Sequence, residues 1–62
     1  MQTVKCLDTD TTYTFEASSG LEAIHKMLYT LNLSCKDDNA MILCHEYTWE
    51  LQHNGKTYAC LK

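Results

Sequence analysis

The chain has 62 residues, which is room for one domain (1–62) built around one hydrophobic core. Hydrophobic residues make up 45% and charged residues 21%, a balance that excludes a disordered polar tail. Five lysines and no arginine stand against eight acids, giving a net charge of −3. Arginine forks and a basic stripe are both missing, so direct nucleic-acid binding is not expected.

No apolar run approaches the roughly 18 residues that span a bilayer, and Met1-Gln2-Thr3-Val4-Lys5 lacks the layout of a signal peptide. A cytoplasmic protein with no membrane partner is expected. In that reducing compartment Cys6, Cys35, Cys44 and Cys60 read as free thiols.

In chain order, the first element is a hairpin. Val4 and Cys6 alternate with Thr3 and Lys5, and Tyr13, Phe15 and Ala17 alternate with Thr12, Thr14 and Glu16. Asp8-Thr9-Asp10-Thr11 supplies the turn formers between them. With Thr9 and Asp10 as loop residues, Cys6 faces Tyr13 and Val4 faces Phe15, which puts the large apolar groups on one side.

Ser19-Gly20-Leu21-Glu22 then forms a capping box. After it Leu21, Ile24, Met27, Leu28 and Leu31 recur on one helical face, predicting an amphipathic helix from about Gly20 to Leu33. Lys36-Asp37-Asp38-Asn39 reads as a solvated loop. In the last third, Asn54-Gly55 is the preferred pair for a two-residue type I′ turn. Folding there sets Leu51 opposite Tyr58 and Trp49 opposite Cys60. The strand before the turn runs from Met41 to His53, with a bulge or break at a position the sequence does not fix.

The expected fold is therefore α+β in the order ββαββ, a four-stranded antiparallel sheet with one helix packed on one face. The uncovered face is expected to carry Leu7, Ile42, Cys44, Ala59 and Leu61, more apolar than solvent-facing strands usually are. It is the expected binding surface, and a homodimer formed through it is the expected assembly.

Catalysis finds little support. Cysteines and histidines are numerous, yet no Cys-x-x-Cys knuckle or closely spaced His pair provides zinc-ligand spacing. Cys44, His45 and Glu46 are contiguous, but neighbours on a strand diverge rather than converge on a substrate. Asp37-Asp38 has no second acid cluster for calcium, and Gly20 and Gly55 make no phosphate loop. No enzyme activity, cofactor or metal is expected. The candidates are instead contacts for a protein partner. Tyr29 lies off the apolar helical face, with His25 on the same helix and Asp37 and Asp38 in the following loop. Ile42, Cys44, Glu46 and Leu61 are the candidates from the strands. Trp49 and Tyr58 are expected to anchor the core.

Phe15-Glu16-Ala17-Ser18-Ser19 runs into Leu21-Glu22-Ala23 and a helix, and the strands Thr48-Trp49-Glu50-Leu51 and Gly55-Lys56-Thr57-Tyr58 close the chain. This layout resembles small phage-encoded inhibitors, including some anti-CRISPR proteins. The resemblance implies a stoichiometric, cofactor-free inhibitor that occupies a nuclease or nucleic-acid-bound defence complex in a bacterial cytoplasm. The strand-to-helix phrase is also similar to the HicB-type antitoxin half-domain. That likeness implies a dimeric antitoxin, without the DNA-binding segment such antitoxins usually add; a dimeric nucleic-acid-binding accessory protein is a separate alternative.

Overall fold

A computed structural model describes residues 1–32 and 39–62. The elements run β1 (Gln2–Cys6), β2 (Thr11–Phe15), α1 (Gly20–Thr30), β3 (Ala40–Cys44), β4 (Thr48–His53) and β5 (Lys56–Leu61). The strands form one antiparallel sheet in the order β2-β1-β5-β4-β3. The class is α+β with one helix, as expected, but the sheet has five strands rather than four and the order is ββαβββ. The extra strand comes from the segment 41–53. It breaks at His45-Glu46-Tyr47 and folds back, so that Ile42 registers with Leu51 and Cys44 with Trp49. The His45 amide donates to the Thr48 carbonyl at 2.9 Å, closing that turn.

Register elsewhere follows turn chemistry. Asn54 and Gly55 both take positive φ, at 49° and 77°, and the two-residue turn sets Leu51 against Tyr58 and Trp49 against Cys60. The first hairpin differs from expectation. Its loop is Leu7 to Asp10, with Asp10 left-handed at φ 61° and its amide donating to the Cys6 carbonyl at 2.8 Å. Val4 therefore pairs with Tyr13, and Cys6 with Thr11. The slip is two residues, so side chains keep their faces.

Ser19 caps α1 by accepting the Glu22 amide at 3.2 Å. The Glu22 carboxylate accepts the Ser18 hydroxyl at 2.8 Å, and that bond holds its pKa below the usual carboxylate value. The helix stops at Thr30, earlier than expected, because Asn32 turns left-handed at φ 61° and donates its amide to the Tyr29 carbonyl. The expected helix end at Leu33, the loop acids Asp37 and Asp38, and Cys35 lie outside the described residues. Replacing Ser19 with Ala removes the side-chain acceptor of the Glu22 amide. Urea denaturation should show a loss of about 1 kcal/mol, and an unchanged midpoint would mean that the cap contributes nothing.

The core forms where α1 lies on the sheet. Ala23, Ile24, Met27 and Leu28 from the helix meet Val4, Cys6, Leu51, Tyr58 and Cys60 from the three middle strands, all buried. Ile42, Trp49, Tyr13 and Phe15 pack around this cluster. Burial pushes the Cys60 thiol and the Tyr58 hydroxyl up from their ordinary pKa values. No helix among the described residues is long and apolar enough to cross a membrane.

Candidate functional site

The register assigns every strand residue to one of two faces. On the uncovered face a row runs across the sheet from Thr12 through Lys5, Ala59 and Glu50 to Leu43. A second row joins Thr57, Gln52 and Met41, and Leu61 stands beside Thr48. The expected position of Leu61 on this face holds, and its side chain is 70% exposed. Ile42 and Cys44 do not belong there. Both lie on the helix side, Ile42 packed against the core and Cys44 exposed beyond Trp49. The physical reason is the turn itself: His45 pairs with Thr48 across a two-residue loop, Glu46-Tyr47, and an even loop matches even-numbered β3 residues with odd-numbered β4 residues, which reverses the side-chain parity of β3 relative to a continuous strand.

The remaining candidates are spread over the molecule. Tyr29 is 61% exposed on the helix layer, with His25 half-buried on the same helix, across the sheet from Leu61. Glu46 is exposed in the β3–β4 turn. These residues do not form one surface with Leu61, with the exception of the turn itself.

That turn brings new residues into play. The Lys62 amide donates to the Tyr47 carbonyl at 3.0 Å, which ties the end of the chain to the turn and places Tyr47, 73% exposed, next to Leu61. Beside them is the best-shielded charge of the uncovered face. The Glu50 carboxylate, 19% exposed, meets His45 Nε2 at 2.7 Å with one oxygen and accepts the Gln52 amide at 2.5 Å with the other. Held on both sides, it is a fixed acceptor between Leu43 and Ala59. The sequence reading named Glu46 and passed over His45 and Glu50. The signal was there, since a turn at 45–47 places residues 45 and 50 together, but only once the break in the strand is located.

On the other side of the same end, the Lys62 amine lies 3.0 Å from Cys44 Sγ and 5.0 Å from the centre of the Trp49 ring. Cys6, Cys44 and Cys60 are free thiols. The Cys6 thiol is drawn below its ordinary pKa by a hydrogen bond with the Thr9 side chain, against the opposing effect of burial. Its 2% exposure withholds it from any reagent in solution. Among the described residues no three His, Cys, Asp or Glu side chains gather to hold a metal ion. At the opposite end of the sheet an open cleft of about 390 Å³ is floored by Met41, Gln52 and Thr57 and rimmed by His53, Asn54 and Lys56. It is mainly polar, and among the described residues no carboxylate or thiol lines it.

No protein-family model matches the chain, and comparisons with curated proteins and with solved structures find no match to either.

Proposed function

We propose that the chain is a small non-catalytic protein-binding module that docks through the end of the sheet where the β3–β4 turn meets the end of β5, around Tyr47 and Leu61. The observation that carries this reading is the exposure of those two side chains, 73% and 70%, on adjoining segments fixed by a backbone hydrogen bond. Tyrosine has few side-chain torsions to fix when a partner covers it, and it is enriched where binding energy concentrates. The fixed Glu50 carboxylate beside them supplies a directional acceptor for a donor on the partner.

In its most concrete form the module is an inhibitor of phage or mobile-element origin that blocks a bacterial CRISPR-Cas complex. This rests on the resemblance of the strand-helix-strand layout to such inhibitors. The net charge of −3 supports it, because a surface that handles nucleic acid is basic and attracts an acidic protein.

The test is a plaque assay in strains immune to a phage through each main type of CRISPR-Cas system. Expression of the chain should restore plaquing in at least one strain to the level of a non-immune host. A Tyr47→Asp/Leu61→Asp variant, shown to be folded by circular dichroism, should leave immunity intact. If the unaltered chain protects the phage in none of the strains, the inhibitor reading is wrong. If the double variant protects as well as the unaltered chain, this surface is not the docking site.

A further inference from the structure

The sheet order leaves β2 and β3 as the outer strands. An outer strand offers a row of unpaired amides and carbonyls, and proteins usually guard it with charge, proline or a bulge. β2 is bracketed by Asp10 and Glu16. Among the described residues β3 has no such guard. Its sequence is Ala-Met-Ile-Leu-Cys, it pairs with β4 without a bulge, and Asn39 and His45 flank it. α1 packs on β1, β2, β4 and β5, so β3 lies at the margin of its cover. Among the described residues no segment pairs with the outer side of β3.

We propose that β3 is a self-pairing edge, where two copies join antiparallel about a two-fold axis at Ile42 into one continuous sheet. In that register Ile42 meets Ile42 of the second copy on the helix side, and Ala40 meets Cys44. On the uncovered side Met41 meets the second copy's Leu43, and the reverse. Each side chain on the seam finds an uncharged partner, in a chain that carries a net charge of −3. The rows also match beyond the seam. Glu50 and Leu43 of one copy continue into Met41 and Gln52 of the other, so no two like charges face each other. This self-complementarity selects a second copy over an unrelated peptide.

The isologous register places both helices on one face and both uncovered faces on the other. Each dimer thus presents two Tyr47–Leu61 surfaces to a partner, at diagonally opposite ends of the joined sheet. This consequence applies the docking surface proposed above, but the self-pairing stands without it. Five residues per copy bury less than the roughly 1,200 Å² of a stable interface. The dimer is accordingly a weak one, with a dissociation constant in the micromolar range.

Sedimentation equilibrium over a concentration series tests this with two variants. Met41 is 54% exposed, so Met41→Glu leaves the fold intact. It sets a carboxylate against Leu43 twice per dimer and should weaken association at least about tenfold. Adding Leu43→Lys places each new lysine across the seam from a new glutamate, and within the chain opposite Glu50. That double variant should regain most of the lost affinity, with thermal melts confirming that all forms are folded. Unaltered protein that stays monomeric to millimolar concentration overturns the proposal. So does Met41→Glu that dimerises normally, or a double variant that fails to recover.

Discussion

Gly20→Ala should destabilise the protein by about 1 to 3 kcal/mol, although the same exchange in an exposed helix would be favourable by about 1 kcal/mol. Gly20 opens α1 and is buried where the helix meets the end of β5. A Cβ built there stands 2.5 Å from the Leu61 carbonyl oxygen and 3.0 Å from the Trp49 ring. The nearer obstacle is backbone, held in the sheet by the pairing of β5 with β4, and cannot swing aside as a flexible side chain would. Relief requires the helix to lift from the sheet by several tenths of an ångström, which loosens Ile24 and Met27 in the layer below. Thermal unfolding should show a midpoint lower by roughly 8 to 23 °C. A variant as stable as the parent would mean that the helix can shift freely and that the contact with β5 is not a constraint. Gly20→Ser should behave like the alanine variant, since the added hydroxyl does not remove the Cβ.

The role of Gly20 was only half legible in the sequence. Its place at the helix start follows from Ser19 and Glu22, but the close approach to β5 depends on a strand some 40 residues away. The same division holds through the chain. Asn54-Gly55 fixed a register because its turn demands positive φ at both positions, a local requirement that no distant contact overrides. The first hairpin carried four turn formers in a row, and composition did not decide which two or four would form the loop. Because the slip was an even number of residues, the apolar face survived it.

The β3 error was of the other kind. Between Met41 and His53 there is no proline and no glycine, and the break falls on His45, Glu46 and Tyr47, none of them a strong turn former. What decides it is pairing. A single long strand would have left β3 without a partner, whereas the fold-back gives five residues a hydrogen-bonded neighbour and brings Ile42 against Leu51. An even loop, Glu46-Tyr47 between the paired His45 and Thr48, reversed the parity of every β3 side chain, where an odd one would have kept it. That one reversal moved Ile42 to the core margin, sent Met41 and Leu43 to the uncovered face, and brought His45 to Glu50. Tyr47 became exposed by the same event.

Leu51→Ala should have the largest effect of any single truncation in the sheet, a loss of about 3 to 5 kcal/mol. Leu51 lies on the central part of β4, registered with Tyr58 on one side and Ile42 on the other, and has no exposure to solvent. Beneath it are Ile24, Met27 and Leu28, also fully or almost fully buried. A methyl group in its place leaves a void bordered on two sides by paired backbone, so the surroundings cannot close on it and the full cavity cost is felt. A domain of 62 residues is stable by only about 3 to 9 kcal/mol, so this one change removes a large part of the total. Trp49, at the margin of the cluster with Lys62 over its ring, is only half-buried and should cost less than its size suggests. The control is Leu61→Ala, on the uncovered face and 70% exposed, which should stay within about 0.5 kcal/mol of the parent. Urea midpoints at constant m-value would report both. Should Leu61→Ala prove as damaging as Leu51→Ala, the two faces of β4 and β5 would have to be exchanged, and Leu61 would be part of the core instead of a docking surface.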